Sequence, residues 1–245
     1  MQMQQSTGVE IKNSLFFNND NQARAEPDVN ETTIEELFRT ITTGGAFTFF
    51  SRNMDFVDVT ITNCTFRSNS GNRNNVNNTR PVLLKANGHG GAVLIRLANV
   101  QNSTFRIEDC SFENNSAEVD GGAVFVSISQ EVSSNQFMLT NNTFTNNRVE
   151  TASGGAVSIN SFNITFDNTI TIENCSFINN TGNAGGAVSV ALYDSNLNST
   201  TFPDTVNFVR CAFINNSAFN EGTAVGLFSL VHVDQVGFPV GFESW

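Results

Sequence analysis

Apolar and polar residues alternate in short segments that recur along the chain. In five segments, two apolar residues separated by one mostly polar residue precede the same corner position, as in Ile170-Thr171-Ile172. This period of two predicts half-buried β-strands. The phenylalanine that follows lies an odd number of residues after these apolar positions. The alternation must therefore shift by one residue at a corner between the two strands. The corner residues are Asn13, Asn63, Asp109, Asn141, Asn174 and Arg210. Asparagine and aspartate tolerate the left-handed backbone conformation that such a corner requires.

These segments belong to one unit that occurs six times, with Phe-x-x-Asn followed by a Gly-Gly-Ala-Val-like strand. The phenylalanines are Phe16, Phe66, Phe112, Phe144, Phe177 and Phe213. The second glycines are Gly45, Gly91, Gly122, Gly155 and Gly186, and the sixth unit has Gly222-Thr223 instead. After the glycines, valine-like residues are expected to face inward, while the alanine and the intervening residues face outward. Three short strands in each repeat predict an all-β, right-handed parallel β-helix of about six rungs with loop insertions, because a propeller blade needs about four strands.

We expect a single domain over residues 1–245. Six repeats occupy residues 9–228, and residues 229–245 are expected to form a C-terminal cap or a truncated rung. Long insertions at residues 18–43 and 67–89 interrupt the first two rungs and are the expected contact surfaces. In the first insertion, apolar residues between Thr33 and Thr42 have the spacing of a short amphipathic helix.

The combination of Phe-x-x-Asn with Gly-Gly-Ala-Val resembles the repeat of the chlamydial polymorphic outer membrane proteins. The resemblance covers roughly residues 9–228, and both halves of the motif recur in the same order. It implies a right-handed parallel β-helix that is displayed at a cell surface and acts in adhesion. The sixth repeat departs from the pattern at Thr223.

Charge and composition narrow the range of partners. The chain has 12 basic and 23 acidic residues, a net charge of -11, and its basic residues are scattered. Nucleic acid is therefore excluded as an expected partner. No apolar run approaches the length of a membrane span, so we expect no membrane insertion by this segment. No cofactor or metal is predicted, because the cysteine spacings match no zinc motif and only His89 and His232 are available to assist.

Eleven Asn-x-Ser/Thr sequons indicate an extracellular or cell-surface glycoprotein. They are Asn30, Asn63, Asn77, Asn102, Asn114, Asn141, Asn163, Asn174, Asn179, Asn198 and Asn215. The alternative is that these tripeptides belong to the structural repeat and are not glycosylation sites, since Asn-Cys-Ser and Asn-Asn-Ser are part of the repeat unit.

Four cysteines, Cys64, Cys110, Cys175 and Cys211, occupy one position of the repeat, and Asn142 replaces cysteine in the fourth rung. They form two adjacent-rung pairs, whose α-carbons are expected about 4.8 Å apart and within disulfide range. The poorly directed Cβ atoms of in-register neighbours favour the alternative of buried reduced thiols.

The sequence favours an adhesive or structural protein without catalytic activity, whose partner is a surface protein, a glycan or a neighbouring subunit. A carbohydrate-active enzyme is one alternative. Its carboxylates would be Glu108 and Glu173, about 9.6 Å apart across Thr140, at the outer limit of the roughly 6.5 to 9.5 Å of an inverting pair. A subunit of an extracellular filament, joined through unpaired rung edges, is the other.

Overall fold

The computed structural model of the chain describes residues 7–19, 42–43, 45–71, 87–162, 165–193, 204–229 and 236–237. Strands at the same position of successive repeats pair with each other, and every pairing between strands in these ranges is parallel. The prediction of a parallel β-helix with six rungs is confirmed. Its right-handed coil stays a prediction.

The first sheet contains the alternating segments that precede the corner. Its strands are Thr7–Lys12, Val57–Thr62, Thr104–Glu108, Gln136–Thr140, Thr169–Glu173, Thr205–Val209 and Val236–Gly237. Alternate side chains of the middle strands are buried, as in Ile170 and Ile172. Val236–Gly237 pairs with Val206 and Asn207, where a seventh rung would begin. The other residues of the predicted cap, 230–235 and 238–245, lie outside the described residues.

The second sheet consists of three-residue strands, each of which carries the phenylalanine of the repeat. The strands are Leu15–Phe17, Thr65–Arg67, Ser111–Glu113, Thr143–Thr145, Ser176–Ile178 and Ala212–Ile214. The six phenylalanine rings stack face to face with centroids 4.7 to 5.0 Å apart. This aromatic column is the centre of the core, and its inner members Phe66, Phe112, Phe144 and Phe177 are fully buried.

A third sheet follows the asparagine of Phe-x-x-Asn, and the expectation of three strands per rung is therefore wrong. Its strands are Ser70–Gly71, Ser116–Ala117, Arg148–Val149, Thr181–Ala184 and Ser217–Glu221. Most of them are very short. Such a segment is too short to show a period in the sequence, which is why the pattern did not reveal it.

The fourth sheet follows the glycine pair and has the longest strands. They are Phe47–Asp55, Val93–Gln101, Val124–Ser133, Val157–Phe162, Val188–Tyr193 and Val225–Ser229, and the short strand Thr165–Phe166 pairs with the end of the third. A separate two-stranded sheet pairs Thr42–Thr43 with Asn87–Gly88. The helix expected between residues 33 and 42 lies outside the described residues except for Thr42, which is in a strand.

The alanines before these strands were expected to face outward, and this expectation is wrong. Ala92, Ala123, Ala156 and Ala187 are fully buried members of the core. The N–H groups of Ala92 and Val93 both donate to the carbonyl oxygen of Ala123. The intervening residues Leu94 and Phe125 are buried as well, although neither belongs to the core cluster.

The glycine corner explains why both glycines are needed. The first glycine has a positive φ in rungs two to six, for example 71° at Gly154. The second glycines form a column in which a Cβ atom would overlap the carbonyl oxygen of the next rung, as at Gly155 against Gly186. Thr223 takes this place in rung six, where its backbone lies over Gly186.

The predicted corners are confirmed by the backbone. All six residues Asn13, Asn63, Asp109, Asn141, Asn174 and Arg210 have φ between 51° and 56°. We call them the first corner row. The residues two positions after each phenylalanine, Asn18, Ser68, Asn114, Asn146, Asn179 and Asn215, also have positive φ and form the second corner row.

A column of buried asparagines closes the second corner on its inner side. Asn115 is typical, because its Nδ2 donates at 3.0 Å to the carbonyl oxygen of Phe66 and to Oδ1 of Asn147. The same Oδ1 of Asn147 also accepts the backbone N–H of Asn115 at 3.0 Å. The pattern repeats through Asn69, Asn115, Asn147 and Asn180, which are at most 1% exposed. Each amide thus satisfies buried groups in the rungs on both sides.

Replacing Asn147 with alanine is expected to destabilise the fold by more than about 3 kcal/mol. The change removes the acceptor of two Asn115 donors and the donor to Phe112, and each unsatisfied buried group costs about 1 to 3 kcal/mol. The neighbouring Asn146→Ala is the control. It is exposed, and its loss is limited to about 1 kcal/mol for the left-handed corner. Urea unfolding checks both variants, and equal losses would contradict the ladder.

Gly155→Ala is expected to lower the free energy of unfolding by more than about 2 kcal/mol, because a Cβ atom there meets rigid backbone of the next rung. Gly8→Ala is the matched control, since no atom lies within 4 Å of its added Cβ. We expect Gly8→Ala to be neutral or slightly stabilising. Thermal unfolding of the two variants measures the difference, and similar melting temperatures would show that the close approach of the rungs is not required.

Candidate functional site

The outward row that carries the candidate catalytic carboxylates lies in the expected register. Glu108, Thr140 and Glu173 are neighbours across the first sheet, with Thr62 and Lys12 before them and Val209 after them. The Glu173 carboxylate pairs with the guanidinium of Arg210, in the rung on the side away from Glu108. An ion pair therefore engages Glu173, and the strand of Thr140 lies between it and Glu108.

A second ion pair joins neighbouring rungs on the second sheet. Arg67 Nη2 lies 2.6 Å from Glu113 Oε2, and Arg67 Nε donates to the same oxygen at 2.8 Å. Arg67 and Glu113 are directly opposite in the register of their strands. Like the pair of Glu173 and Arg210, this pair bridges adjacent rungs.

Sequon asparagines occupy three corners of the coil. All seven that the structure describes are exposed and have φ between 51° and 56°. Asn63, Asn141 and Asn174 belong to the first corner row, Asn114, Asn179 and Asn215 to the second, and Asn102 lies at the corner between the fourth and first sheets. The sequons at Asn30, Asn77, Asn163 and Asn198 lie outside the described residues.

The two corner rows differ in the contacts of their side chains. In the first row, Asn174 Nδ2 donates to Asn141 Oδ1 at 3.2 Å, and Asn141 Nδ2 donates to Asp109 Oδ1 at 3.1 Å. Asn63 Nδ2 donates to Asn13 Oδ1 at 2.7 Å. Among the described residues, no side-chain hydrogen bond is found for the sequon asparagines of the second row. Those amides are the more accessible ones.

The cysteines form a buried column at the first corner, and Asn142 is part of it. The backbone N–H of Cys64 donates to Cys110 Sγ at 3.3 Å, and that of Cys110 donates to Asn142 Oδ1 at 2.9 Å. All four cysteines are free in the structure. A thiol and an amide thus fill the same place, because Cys110 Sγ and the Asn142 amide each accept a backbone N–H of the preceding rung and donate to a carbonyl oxygen of that same rung.

The two cysteine pairs differ in reactivity. Burial raises the pKa of Cys110 to about 12. In the other pair, the interaction between the two neighbouring thiols raises the pKa of Cys175 and lowers the pKa of Cys211 to about 7. Cys175 is 2% exposed, whereas Cys211 is partly exposed in the last rung.

A buried polar cluster before the glycine corner was missed by the sequence analysis. Asp120 accepts the backbone N–H of Ser153 at 3.1 Å and Asn160 Nδ2 at 3.4 Å, and its Oδ2 lies 3.4 Å from His89 Nδ1. The His89 ring stacks on Phe125 at 4.7 Å. His89 and Asp120 each directly precede a glycine pair, which is the sequence signal that could have linked them. The cluster holds this segment against the outer face of the fourth sheet.

A second buried polar column was also missed. It runs through Ser103, Asn135, Asn168 and Asp204, each of which precedes a strand of the first sheet by one residue. Asn135 Nδ2 donates to Val100 O and to Asn168 Oδ1, both at 3.0 Å. The sequence signal that could have revealed this column is a small polar residue that recurs two positions before a buried apolar residue.

Among the side chains whose exposure the structure describes, the large exposed apolar ones lie in the two terminal rungs. They are Leu15, Phe17, Phe50 and Met54 in rung one, and Ile214, Phe219 and Leu227 in rung six. In the inner rungs, the residues in register with Phe17 are Arg67, Glu113, Thr145 and Ile178. The ends of the coil are thus more apolar than most of its sides.

Within the described ranges, no group of three or more histidine, cysteine or acidic residues is arranged to hold a metal ion. A search of the same residues for a helix with the length and apolarity of a membrane span finds none.

The coil and its in-register surface rows define a parallel β-helix repeat protein. The model of the Chlamydia polymorphic membrane protein (Chlamydia_PMP) repeat matches residues 109–127. This segment runs from the corner residue Asp109 through Phe112 and Asn115 to the strand after Gly122, and the match confirms the resemblance seen in the sequence. No curated protein and no solved structure matches the chain.

Iodoacetamide is expected to modify Cys211 first in the folded protein. The thiolate fraction of Cys211 rises as pH passes through about 7, so its alkylation rate should climb between pH 6 and 8 and then level off. Cys110, with a pKa of about 12, should stay unmodified over this range. Peptide mass spectrometry measures both rates. Modification of Cys110 as fast as Cys211 would contradict the assignment.

Proposed function

We propose that this chain is a non-catalytic β-helix that is displayed outside the cell or at its surface, where it acts as an adhesive or structural spacer. The observation that carries the proposal is the exposure of all seven described sequon asparagines at the corners of the coil. Such sites are compatible with N-linked glycans, which are added in the secretory pathway. The likeness of residues 109–127 to a membrane protein repeat supports the same location.

The absence of catalysis is proposed from the surface chemistry. General acid and base catalysis by a glycosidase needs two carboxyl groups that flank one bond. Here Glu173 is engaged with Arg210 and is separated from Glu108 by the strand of Thr140. The buried Asp120 accepts hydrogen bonds from Ser153 and Asn160 and lies beside His89. These contacts favour a structural role for Glu173 and Asp120 over a catalytic one.

An end-to-end filament remains the alternative, and the structure offers observations on both sides. The apolar side chains of the terminal rungs favour it, since they would be covered by stacking. Val236–Gly237 disfavours it, because this strand already pairs with the last rung at Val206 and Asn207. A second copy would have to displace that strand to continue the first sheet.

The insertion of rung two is the proposed contact surface that can be removed most cleanly. The connection from the third to the fourth sheet differs in length between rungs two and three. Gly71 pairs with Ala117 at its start, and Val93 pairs with Val124 at its end. The path from Gly71 to Val93 is longer than the path from Ala117 to Val124 by the length of the segment 72–86. Deleting this segment joins Gly71 to Asn87 and reproduces the spacing of rung three.

Adhesion is tested with beads that carry the full 245-residue protein on arrays of immobilised glycans and extracellular proteins. We expect attachment to at least one surface and an attachment at least tenfold weaker for the variant that lacks residues 72–86. A variant that carries the segment 72–86 in scrambled order is the control for insertion length. Circular dichroism verifies that each variant keeps its strands.

Two results would contradict the proposal. Release of soluble sugar from an immobilised polysaccharide over time would show catalysis. Antibodies that label the protein only in permeabilised cells of its natural source would place it inside the cell. Equal attachment of the deletion variant would exclude residues 72–86 as the contact surface.

A further inference from the structure

Two pairs of sequon asparagines occupy the same corner in adjacent rungs. Asn141 and Asn174 are neighbours in the first corner row, and Asn179 and Asn215 are neighbours in the second. The flanking strands are in register, so the members of each pair are one rung apart. The ring centroids next to these corners give that spacing, with 4.8 Å between Phe144 and Phe177 and 5.0 Å between Phe177 and Phe213.

A glycan on one member of a pair fills the space that a glycan on the other would need. The first sugar of an N-linked glycan is a pyranose ring with an acetamido group, and it is wider than one rung spacing. All four asparagines share the same corner backbone conformation, with φ between 51° and 56°. Because the flanking strands are also in register, the Cα–Cβ bonds of each pair leave the coil in similar directions.

Existing contacts make a glycan on the first-row pair the more disruptive one in the folded protein. Asn174 Nδ2, the atom that would carry the sugar, donates to Asn141 Oδ1 at 3.2 Å. Arg210 Nε holds Asn174 Oδ1 from the other side at 2.7 Å. Asn179 and Asn215 have no such side-chain hydrogen bond among the described residues, so their amides are available without breaking a row.

We infer that each adjacent pair holds a single glycan in the folded protein: a glycan on one asparagine excludes a glycan on its neighbour, and the pair of Asn179 and Asn215 accommodates a glycan with the smaller loss of contacts. The inference rests on the proposed extracellular function, because N-linked glycans are added only in the secretory pathway. The seven described sequons then carry at most five glycans in one folded molecule.

Three other sequons serve as internal references. Asn63 lies between Asn13 and Asp109, Asn114 lies between Ser68 and Asn146, and the corner neighbours of Asn102 are Phe56 and Ser134. None of these neighbours begins a sequon. Occupancy at Asn63, Asn102 and Asn114 should therefore be independent of the other sites.

The test is the secretion of the full 245-residue chain from a eukaryotic host, followed by trimming of each glycan to one sugar and mass spectrometry of the monomer and its peptides. We expect no molecule with sugars on both members of a pair. Ser217→Ala removes the sequon of Asn215 and keeps the asparagine. Occupancy of Asn179 should then rise by about the fraction that Asn215 carried. Ser176→Ala should raise Asn141 in the same way.

Ser116→Ala is the matched control. It removes the sequon of Asn114, which lies two rungs from Asn179 in the same row, and it should leave Asn179 unchanged. Glycans on both members of a pair in the folded monomer would overturn the inference. So would a glycan occupancy of Asn179 that is unchanged in the Ser217→Ala variant. Glycans at the three reference sites, together with no glycan on either adjacent pair, would overturn it as well. All of these results leave the location of the protein untouched, whereas glycan-free protein from the natural source would count against the proposed function.

Discussion

The buried asparagines at the corners of this coil depend on the rungs above and below them. Asn147 shows the principle, because its side-chain oxygen accepts two donors of Asn115 while its nitrogen donates to Phe112 and Asn180. A buried amide without these partners would cost about 1 to 3 kcal/mol for each lost bond. The chain can therefore bury polar residues at its corners only if successive rungs stay in register. The stacked phenylalanines and the glycine column enforce the same register from the core and from the backbone.

The sequence predicted those parts of the fold in which a residue type recurs at a fixed place. Phe112, Gly122 and Cys110 belong to columns that are visible by eye, and the left-handed corner at Asp109 followed from a change of parity. The third sheet at Ser116–Ala117 and the inward turn of Ala123 were not predictable in this way. Two residues carry no period, and whether an alanine faces in or out depends on where the bend falls.

The candidate site was predicted less completely, because the decisive contacts join residues from different rungs. The row of Glu108 and Glu173 was predicted correctly, yet the partner of Glu173 is Arg210, a corner residue whose side-chain direction the pattern does not encode. The cluster of His89 and Asp120 depends on how the segment before the glycines folds back over Phe125. A single sequence contains the residues of such contacts but not the direction in which their side chains point.

The register constraint also explains where the chain tolerates insertions. From the corner before the first sheet to the buried asparagine, the spacing is the same in rungs two to five, as in Asn102 to Asn115 and Asp167 to Asn180. This stretch contains the columns of Ser103, Cys110 and Asn115 and the phenylalanine column. A single extra residue would therefore disrupt all four columns at once. From the buried asparagine to the first glycine, by contrast, the spacing differs between rungs: it is short in rung five, at 180–185, and several times longer in rung two, at 69–90. The largest variation thus lies between the buried asparagine and the glycine corner, where a contact surface can change without a change in the polar and aromatic columns.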